Sequence, residues 1–162
     1  MRITNTHVYF FTGRDVFSNF YYAPFNHEGK TFKWSEQAIM YRKAMLFGAG
    51  QVAKNILLAK TPQEAKQLGR SRQIPFDESI WSEHKMRIYE EVLIDKFSVP
   101  HLKRGITDMG DRTFAEASPY DRIWGCGLSE DDPRIEDESK WPGQNLLGKI
   151  LNRVQTRLTE SE

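Results

Sequence analysis

The segment over residues 35–47 constrains the fold most, because it has the length of a helix and is apolar on almost every side. A helix that is hydrophobic all round is normally buried. This one nevertheless carries Glu36 and Lys43, and a buried charge is costly unless it is paired or reaches solvent. Seven residues make two helical turns, so both side chains share one face, with Cα atoms about 10 Å apart. That gap suits one sugar ring and indicates a site.

Each of these two charges also has a purely structural interpretation. Glu36 lies in the first turn of the predicted helix, where an acid complements the positive end of the helix dipole and contributes ~0.3–1 kcal/mol. Lys43 could lay its aliphatic stem along apolar neighbours while its amine reaches water. Their coincidence on one face of a buried helix favours the functional interpretation but does not remove the structural one.

The remaining pattern predicts a single compact domain over residues 1–162, mainly α with a few short strands. Ser35 is the expected N-cap of the first helix, and Thr61 with Glu64 forms a capping box before another. Strands are expected over residues 8–11, 31–34 (after a turn at Glu28-Gly29) and 113–117, with an acidic loop over 129–143. Further helices are expected over residues 51–59, 61–69, 77–97, 100–109 and 144–158.

The composition excludes several classes of function. A net charge of +1 argues against a large duplex-binding surface. The single Cys126 allows no intramolecular disulfide, and no apolar run approaches the ~20 residues of a membrane span, so we expect a cytoplasmic protein without a membrane role. Phosphate-binding and dinucleotide fingerprints are absent, and the histidines lack metal-ligand spacing. We therefore expect neither a cofactor nor a metal.

A second informative stretch is Tyr-Asp-Arg-Ile-Trp-Gly-Cys-Gly over residues 120–127. Asp121 lies in a turn, where it could bond its own backbone as readily as serve in catalysis. Trp124 offers a flat face for a base or a sugar, or is a core ring beside a tight turn. Gly125 and Gly127 permit close backbone approach or a positive φ. Cys126 is interpreted as structural.

A basic cluster surrounds the predicted helix over residues 61–69 and includes Lys60, Lys66, Arg70 and Arg72. Such clusters are usually solvated. Arg70 follows Gly69, however, and from there its guanidinium could reach inward and bind a phosphate with two parallel hydrogen bonds.

Six motifs together resemble the NADAR family, in the order found there and from about Phe11 to Leu158. They are Phe17-Ser-Asn-Phe20, Trp34-Ser-Glu-Gln37 followed by Lys43, Ala65-Lys-Gln-Leu-Gly-Arg70, Trp81 with Lys85, Tyr120-Asp-Arg-Ile-Trp-Gly-Cys-Gly127 and Gly143-Gln-Asn-Leu-Leu-Gly148. The resemblance implies a mainly α fold. It also implies an N-glycosidase, since that family includes glycosidases acting on riboflavin-pathway intermediates and enzymes that remove ADP-ribose from guanine.

Carried across motif by motif, the resemblance implies a set of site residues. In such a site Glu36 would act as acid or base, Trp124 would stack a base and Arg70 would hold a phosphate. Lys43 would either attack the sugar as an amine or bind phosphate. The implied catalytic residues are Glu36, Lys43 and Asp121, and the implied substrate-binding residues are Asn19, Phe20, Arg70, Trp124, Gly125 and Asn145.

The expected reaction is hydrolysis of the bond between ribose C1 and an amine of a base. ADP-ribosylated guanine in nucleotides or nucleic acid is the expected substrate, and the protein is expected to be a monomer. Riboflavin-type members can carry His in place of Gln37 and Asp in place of Cys126, which points away from that branch. The alternatives are an N-glycosidase acting on phosphoribosylamino-pyrimidine and a non-catalytic module that binds ADP-ribose or NAD.

Overall fold

The computed structural model describes residues 1–161, and these are mainly helical with a few short strands, as predicted. The chain divides into two compact units. We call Asn19–Val99 the helical unit, and Met1–Ser18 with the chain from Pro100 onward the sheet unit. The prediction of a single domain stays a prediction, because compactness alone does not show that a unit folds independently.

The predicted elements occur in the expected order with small shifts of boundary, and two short strands, Arg2–Ile3 and Phe25–His27, lie outside the predicted ones. In chain order the elements are β1 (Arg2–Ile3), β2 (His7–Phe10), β3 (Phe25–His27), β4 (Lys30–Phe32), α1 (Ser35–Leu46), α2 (Gly50–Leu57), α3 (Pro62–Leu68), α4 (Glu78–Phe97), α5 (Pro100–Thr107), β5 (Thr113–Glu116) and α6 (Leu146–Glu160). Two short 3₁₀ helices, Pro133–Glu136 and Glu138–Lys140, lie within the predicted acidic loop.

The sheet unit is built around a three-stranded sheet in the order β1-β2-β5. Strand β2 pairs antiparallel with β1 and parallel with β5, where His7 lies opposite Thr113. All four residues of β2 are buried, as expected of a central strand with a continuous apolar sequence. Helix α6 packs against β5. A core cluster that includes Cys126, Leu128 and Ile135 joins the loops to this sheet.

The helical unit places α1 at its centre, in contact with α2, α3 and α4. The β3–β4 hairpin precedes α1, and its two-residue turn has positive φ at both Glu28 and Gly29, the requirement of a type I′ turn. The first half of α1 is buried on all sides, as its sequence predicts. The second half is not, since Met45 is half exposed.

Helix starts show where local signals succeeded and where they were wrong. The Thr61 hydroxyl accepts a hydrogen bond from the Glu64 N–H (3.0 Å), as the capping box predicts. Ser35 is not an N-cap, because Trp34 holds that position and the Ser35 hydroxyl instead donates to the Asn19 amide oxygen (2.8 Å).

Among the described residues, no helix combines the length and the apolar character needed to cross a membrane.

Candidate active site

Glu36 is held at the start of α1 by the segment that precedes the β3–β4 hairpin. Its backbone N–H donates to the Asn19 carbonyl (3.0 Å), while the Asn19 side-chain oxygen accepts from Ser35. Trp34 supplies no side-chain cap, so the Asn19 carbonyl pairs one N–H group of the first turn while the Asn19 side chain holds the Ser35 hydroxyl. Glu36 itself is only 7% exposed, so any charge on it lies in a largely desolvated place. The structure gives Asn19 a positioning role for Glu36.

Lys43 lies two turns further along α1, beside two aromatic rings of the same unit. Its Nζ is 4.8 Å from the ring centroid of Phe76 and 5.5 Å from that of Trp81, both within cation–π range. Trp81 is buried on α4, whereas Phe76, just before α4, remains 45% exposed. The amine thus lies against a wall of two rings, one of which also faces solvent.

The electrostatic surroundings lower the pKa of Lys43. Burial lowers the pKa of its amine from the ordinary value, and the Arg70 guanidinium lowers it further. The carboxylates of Glu36 and Glu78 oppose this shift by favouring the charged form. Three of the predicted residues, Glu36, Lys43 and Arg70, are therefore close enough to act on one another. An amine with a lowered pKa beside a desolvated acid is suited to nucleophilic or acid–base work.

Helix α3 brings Arg70 to this group. Gly69 ends α3 against Met40 of α1, and a Cβ at this glycine would collide with the Met40 side chain. The absence of a side chain therefore lets α3 approach α1 closely, with Arg70 as the next residue. One turn earlier, the Lys66 Nζ lies 5.7 Å from the ring centroid of Phe20. The predicted residues of the helical unit are Asn19, Phe20, Glu36, Lys43 and Arg70.

The remaining predicted residues lie in the sheet unit, where Asp121 shapes a loop. Its Oδ1 accepts hydrogen bonds from the N–H groups of Ile123 and Trp124, both at 2.9 Å. The Ser118 hydroxyl accepts from the N–H groups of Tyr120 (3.2 Å) and Asp121 (3.1 Å). One carboxylate oxygen of Asp121 is thus committed to its own turn, as the structural interpretation predicts. The turn therefore fixes the backbone that carries Trp124.

Glycines make that loop compact. A Cβ at Gly125 would lie 2.8 Å from the Asp121 carbonyl oxygen and 3.1 Å from that of Glu116, so only glycine fits. Gly127 has a φ of +84°, which favours glycine for a different reason. Between them Cys126 is fully buried, and burial raises the pKa of its thiol. These features suit a structural cysteine and a loop with a close backbone approach at Gly125.

Asn145 lies before α6 with a φ of +52° and is 3% exposed. Its Nδ2 donates to the Phe114 carbonyl (2.9 Å), and its Oδ1 accepts from the Glu116 N–H (3.1 Å). Both ends of the amide are therefore bonded to the backbone of β5. This geometry supports a role in joining α6 to the sheet, and the predicted contact of Asn145 with substrate stays a prediction.

The sequence motifs do not indicate the two rings beside Lys43. Trp81 belongs to one of the six motifs, whereas Phe76 and Glu78 lie outside all of them. Asp77, between them, is the N-cap of α4, and its side chain accepts from the Ser79 and Ile80 N–H groups. This cap is recognisable in the sequence, but contact between the start of α4 and the middle of α1 is not local. No pattern along the chain indicates it.

Two further observations delimit the site. Within residues 1–161, no group of three or more His, Cys, Asp or Glu side chains is arranged to hold a metal ion. A cavity of about 320 Å³ lies along the second half of α1 and contains none of the predicted site residues. Its lining residues are Glu28, Lys30, Tyr41, Arg42, Met45, Leu46, Arg87 and Ile88.

Comparisons with known proteins identify three relatives by sequence. Protein irg-1 of Caenorhabditis elegans is 35% identical, covering 96% of this chain and 81% of the relative. An N-glycosidase of Acanthamoeba polyphaga mimivirus is 41% identical, covering 75% of this chain and 71% of the relative. A chloroplastic riboflavin biosynthesis protein of Zea mays, PYRR, is 29% identical over 80% of this chain and 20% of its own length.

A solved structure and a family model complete the comparison. The NMR structure of the Escherichia coli protein YbiA has a TM-score of 0.79 at 24% identity, covering 99% of this chain and 89% of that one, which shows the same fold. The model of the NADAR domain matches residues 9–159, almost the whole chain. With a match of this extent and two relatives above 30% identity, the chain belongs to the NADAR family.

Proposed function

We propose that this protein is an N-glycosidase that releases ADP-ribose from ADP-ribosylated guanine in nucleic acid. The observation that carries the proposal is the grouping of Glu36, Lys43 and Arg70, in which burial and Arg70 lower the pKa of Lys43. A relative that is 41% identical is named an N-glycosidase, which supports the reaction class. A module that only bound ADP-ribose would have no use for such an amine beside a desolvated acid.

The proposed reaction breaks the bond between ribose C1 and the base nitrogen. Water supplies the oxygen that bonds to C1, and a proton is transferred to the departing nitrogen. Such a bond breaks when the leaving amine is protonated and positive charge at C1 is stabilised. Glu36, desolvated at the start of α1, is suited to carry that proton or to stabilise the charge. Arg70, which is exposed, is suited to hold a phosphate of the substrate.

Lys43 offers a covalent route within the same proposal. A neutral amine attacks C1 of the ring-opened sugar, the base leaves with a proton, and water then hydrolyses the iminium and regenerates the amine. Borohydride added during turnover reduces such an iminium and leaves a sugar mass on Lys43. Lys43→Arg, which keeps a cation but cannot attack, should then give neither adduct nor turnover. An active Lys43→Arg enzyme without adduct would make Lys43 an electrostatic ligand.

The two candidate substrates differ in the number of bases that a site must bind. ADP-ribosylated guanine contains two bases, adenine and guanine, whereas a phosphoribosylamino-pyrimidine contains one ring. Trp124, which is partly exposed in the sheet unit, is the ring that we propose for one of these bases. Each stacked base is worth ~1–3 kcal/mol.

The two departures from riboflavin-type members act through packing. Gln37 is buried, with its Nε2 donating to the Ile56 carbonyl (3.1 Å) and its Oε1 accepting from the Lys33 N–H (2.9 Å). Cys126 is buried in the core of the sheet unit. Because both side chains are internal, they bear on the substrate only through the shape of the surrounding backbone.

A second candidate substrate is a phosphoribosylamino-pyrimidine, which the likeness to the maize riboflavin biosynthesis protein favours. The decisive experiment gives the purified protein both substrates and measures free ADP-ribose and ribose 5-phosphate. We expect ADP-ribose from modified guanine. Glu36→Gln should abolish most of it, and Glu83→Gln, an exposed acid on α4, is the matched control. Ribose 5-phosphate alone would assign the protein to the second reaction.

A further inference from the structure

We propose that Phe76 is the surface against which the leaving base of the substrate packs. This inference rests on the proposed function, in which Lys43 lies at the reacting sugar carbon. It adds a substrate-binding residue that lies outside all six sequence motifs. Phe76, Lys43 and the residues around them all belong to the helical unit, so one compact unit contains the whole arrangement.

Of the two rings beside the Lys43 amine, Phe76 is the one with surface to offer a ligand. It is 45% exposed, whereas Trp81 is 8% exposed and is covered by the protein. The Nζ of Lys43 lies 4.8 Å from the ring centroid of Phe76. Single exposed apolar side chains are common and need no function. This ring differs because a molecule that contacts the amine from the solvent side must also lie next to Phe76.

Phe76 is held in place before any ligand binds. Its backbone N–H donates to the Ile74 carbonyl (2.8 Å), and the next residue, Asp77, is the N-cap that starts α4. The ring of Phe47, at the end of α1, meets it edge to face with a centroid distance of 5.4 Å. Binding to a preordered ring loses less conformational entropy than binding to a mobile one.

The covalent route brings the leaving base close to this ring. Once the Lys43 amine has attacked C1 of the ring-opened sugar, C1 carries both that amine and the nitrogen of the base. Two bonds of about 1.5 Å then join Nζ to the base nitrogen, so these two atoms lie within about 3 Å of each other. Aromatic rings pack favourably at centroid distances of about 4.5–7 Å, offset or edge to face. Because Trp81 is buried, Phe76 is the ring that such a base can reach.

The chemistry of Phe76 suits the base and not the rest of the substrate. A phenyl ring carries no charge and no hydrogen-bond donor, so it adds little to the binding of a phosphate or a sugar hydroxyl. Stacking on an aromatic side chain accepts every base, because every base has a flat π face. The adenine of ADP-ribose lies beyond the diphosphate, at the far end from C1. Phe76 should therefore contribute to affinity for the released base but not for ADP-ribose.

The experiment measures inhibition of the reaction by each of its two products. With ADP-ribosylated guanosine as substrate, the inhibition constant of guanosine is divided by that of ADP-ribose. Phe76→Ala should raise this ratio about 5- to 150-fold, the loss expected for one stacked base. Phe76→Tyr should keep it, because tyrosine retains the flat ring. A purely structural role of Phe76 would change both constants alike and leave the ratio unchanged, which would overturn the inference.

The matched control is Ile80→Ala, which removes another exposed apolar side chain (41% exposed) from the first turn of α4 and should leave the ratio unchanged. If the wild type instead acts on the phosphoribosylamino-pyrimidine, the same ratio is measured with the released pyrimidine and ribose 5-phosphate. Failure of the proposed function shows differently, as a wild-type protein that hydrolyses neither substrate. Guanosine binding, followed by quenching of tryptophan fluorescence, then still tests Phe76. Equal affinity of wild type and Phe76→Ala, or no binding by wild type, would refute the inference.

Discussion

Replacing Asn145 by alanine is expected to destabilise the sheet unit strongly. The substitution leaves the Phe114 carbonyl and the Glu116 N–H without their amide partners. A buried group left unsatisfied costs about 1–3 kcal/mol, and the Phe114 carbonyl belongs to a fully buried residue. Glu116 is partly exposed, so water offsets some of its loss. The φ of +52° adds about 1 kcal/mol, because alanine tolerates this region less well than asparagine.

The sum is a loss of roughly 3–5 kcal/mol, a large share of the 5–15 kcal/mol that stabilises a typical domain. Urea denaturation followed by tryptophan fluorescence measures it as a lower midpoint with an unchanged slope. Asn152→Ala is the matched control, since the Asn152 amide also joins α6 to β5, through the Phe114 N–H and the Arg112 carbonyl (both 3.0 Å). Both variants should be destabilised.

Ligand affinity of the folded fraction separates the structural role of Asn145 from the predicted substrate contact. If Asn145 acts only through the backbone of β5, Asn145→Ala and Asn152→Ala should bind substrate alike at temperatures where both are folded. A loss of stability below about 1 kcal/mol in Asn145→Ala would refute the hydrogen-bond reasoning, since neither buried group could then have been left unsatisfied. Weaker substrate binding in Asn145→Ala, but not in Asn152→Ala, would support the predicted contact of Asn145 with substrate.

Three further predictions concern ionisable groups. Glu36→Gln should lower turnover at least ~10²-fold with ligand affinity largely kept, and near-normal turnover would exclude Glu36 as acid or base. Arg70→Ala removes a cation that lowers the pKa of Lys43, so the pH at which kcat/KM rises should become higher. Glu78→Gln removes an acid that raises this pKa, so the rise should occur at lower pH. An unchanged pH profile in both variants would show that ionisation of Lys43 does not control the reaction. Burial lowers the pKa of Lys96 to about 7 from 10.5, so the unfolded state binds more protons between these values and stability should rise with pH there, by at most about 1.4 kcal/mol per unit. Lys96→Met should remove this rise in parallel denaturant titrations, and an identical pH profile would contradict the burial argument.

Local signals along the chain predicted most of the helices, because their causes are local. Thr61 and Glu64 start α3 through a bond between neighbours, and Glu28-Gly29 adopts the positive φ values that its hairpin needs. The signals were wrong where a distant residue competed. Ser35 resembles an N-cap, but its hydroxyl donates to Asn19, sixteen residues earlier.

The sheet was harder to predict for the same reason. Strand β1 has only two residues, and its pairing with β2, Arg2 opposite Tyr9, is a tertiary contact with no period of its own. The parallel pairing of β2 with β5 joins residues 7–10 to residues 113–116, which are far apart along the chain. Parallel pairs depend on long connections, so no nearby turn specifies them. The sequence predicts β2, β4 and β5 as strand-forming segments, but not β1, β3 or the partners of β2.

The predicted site separates into two kinds of residue for the same physical reason. Spacing alone places Glu36 and Lys43 on one face, because helical geometry is fixed, but the rings that desolvate the amine come from the start of α4, which spacing cannot place. Asp121 shows that structural and functional interpretations need not compete. Its Oδ1 caps the turn that carries Trp124, so the same carboxylate that stabilises the loop also fixes the backbone of a predicted stacking residue. Side chains committed to backbone groups therefore position the site, whereas those whose ionisation their surroundings change, Lys43 above all, are the ones suited to its chemistry.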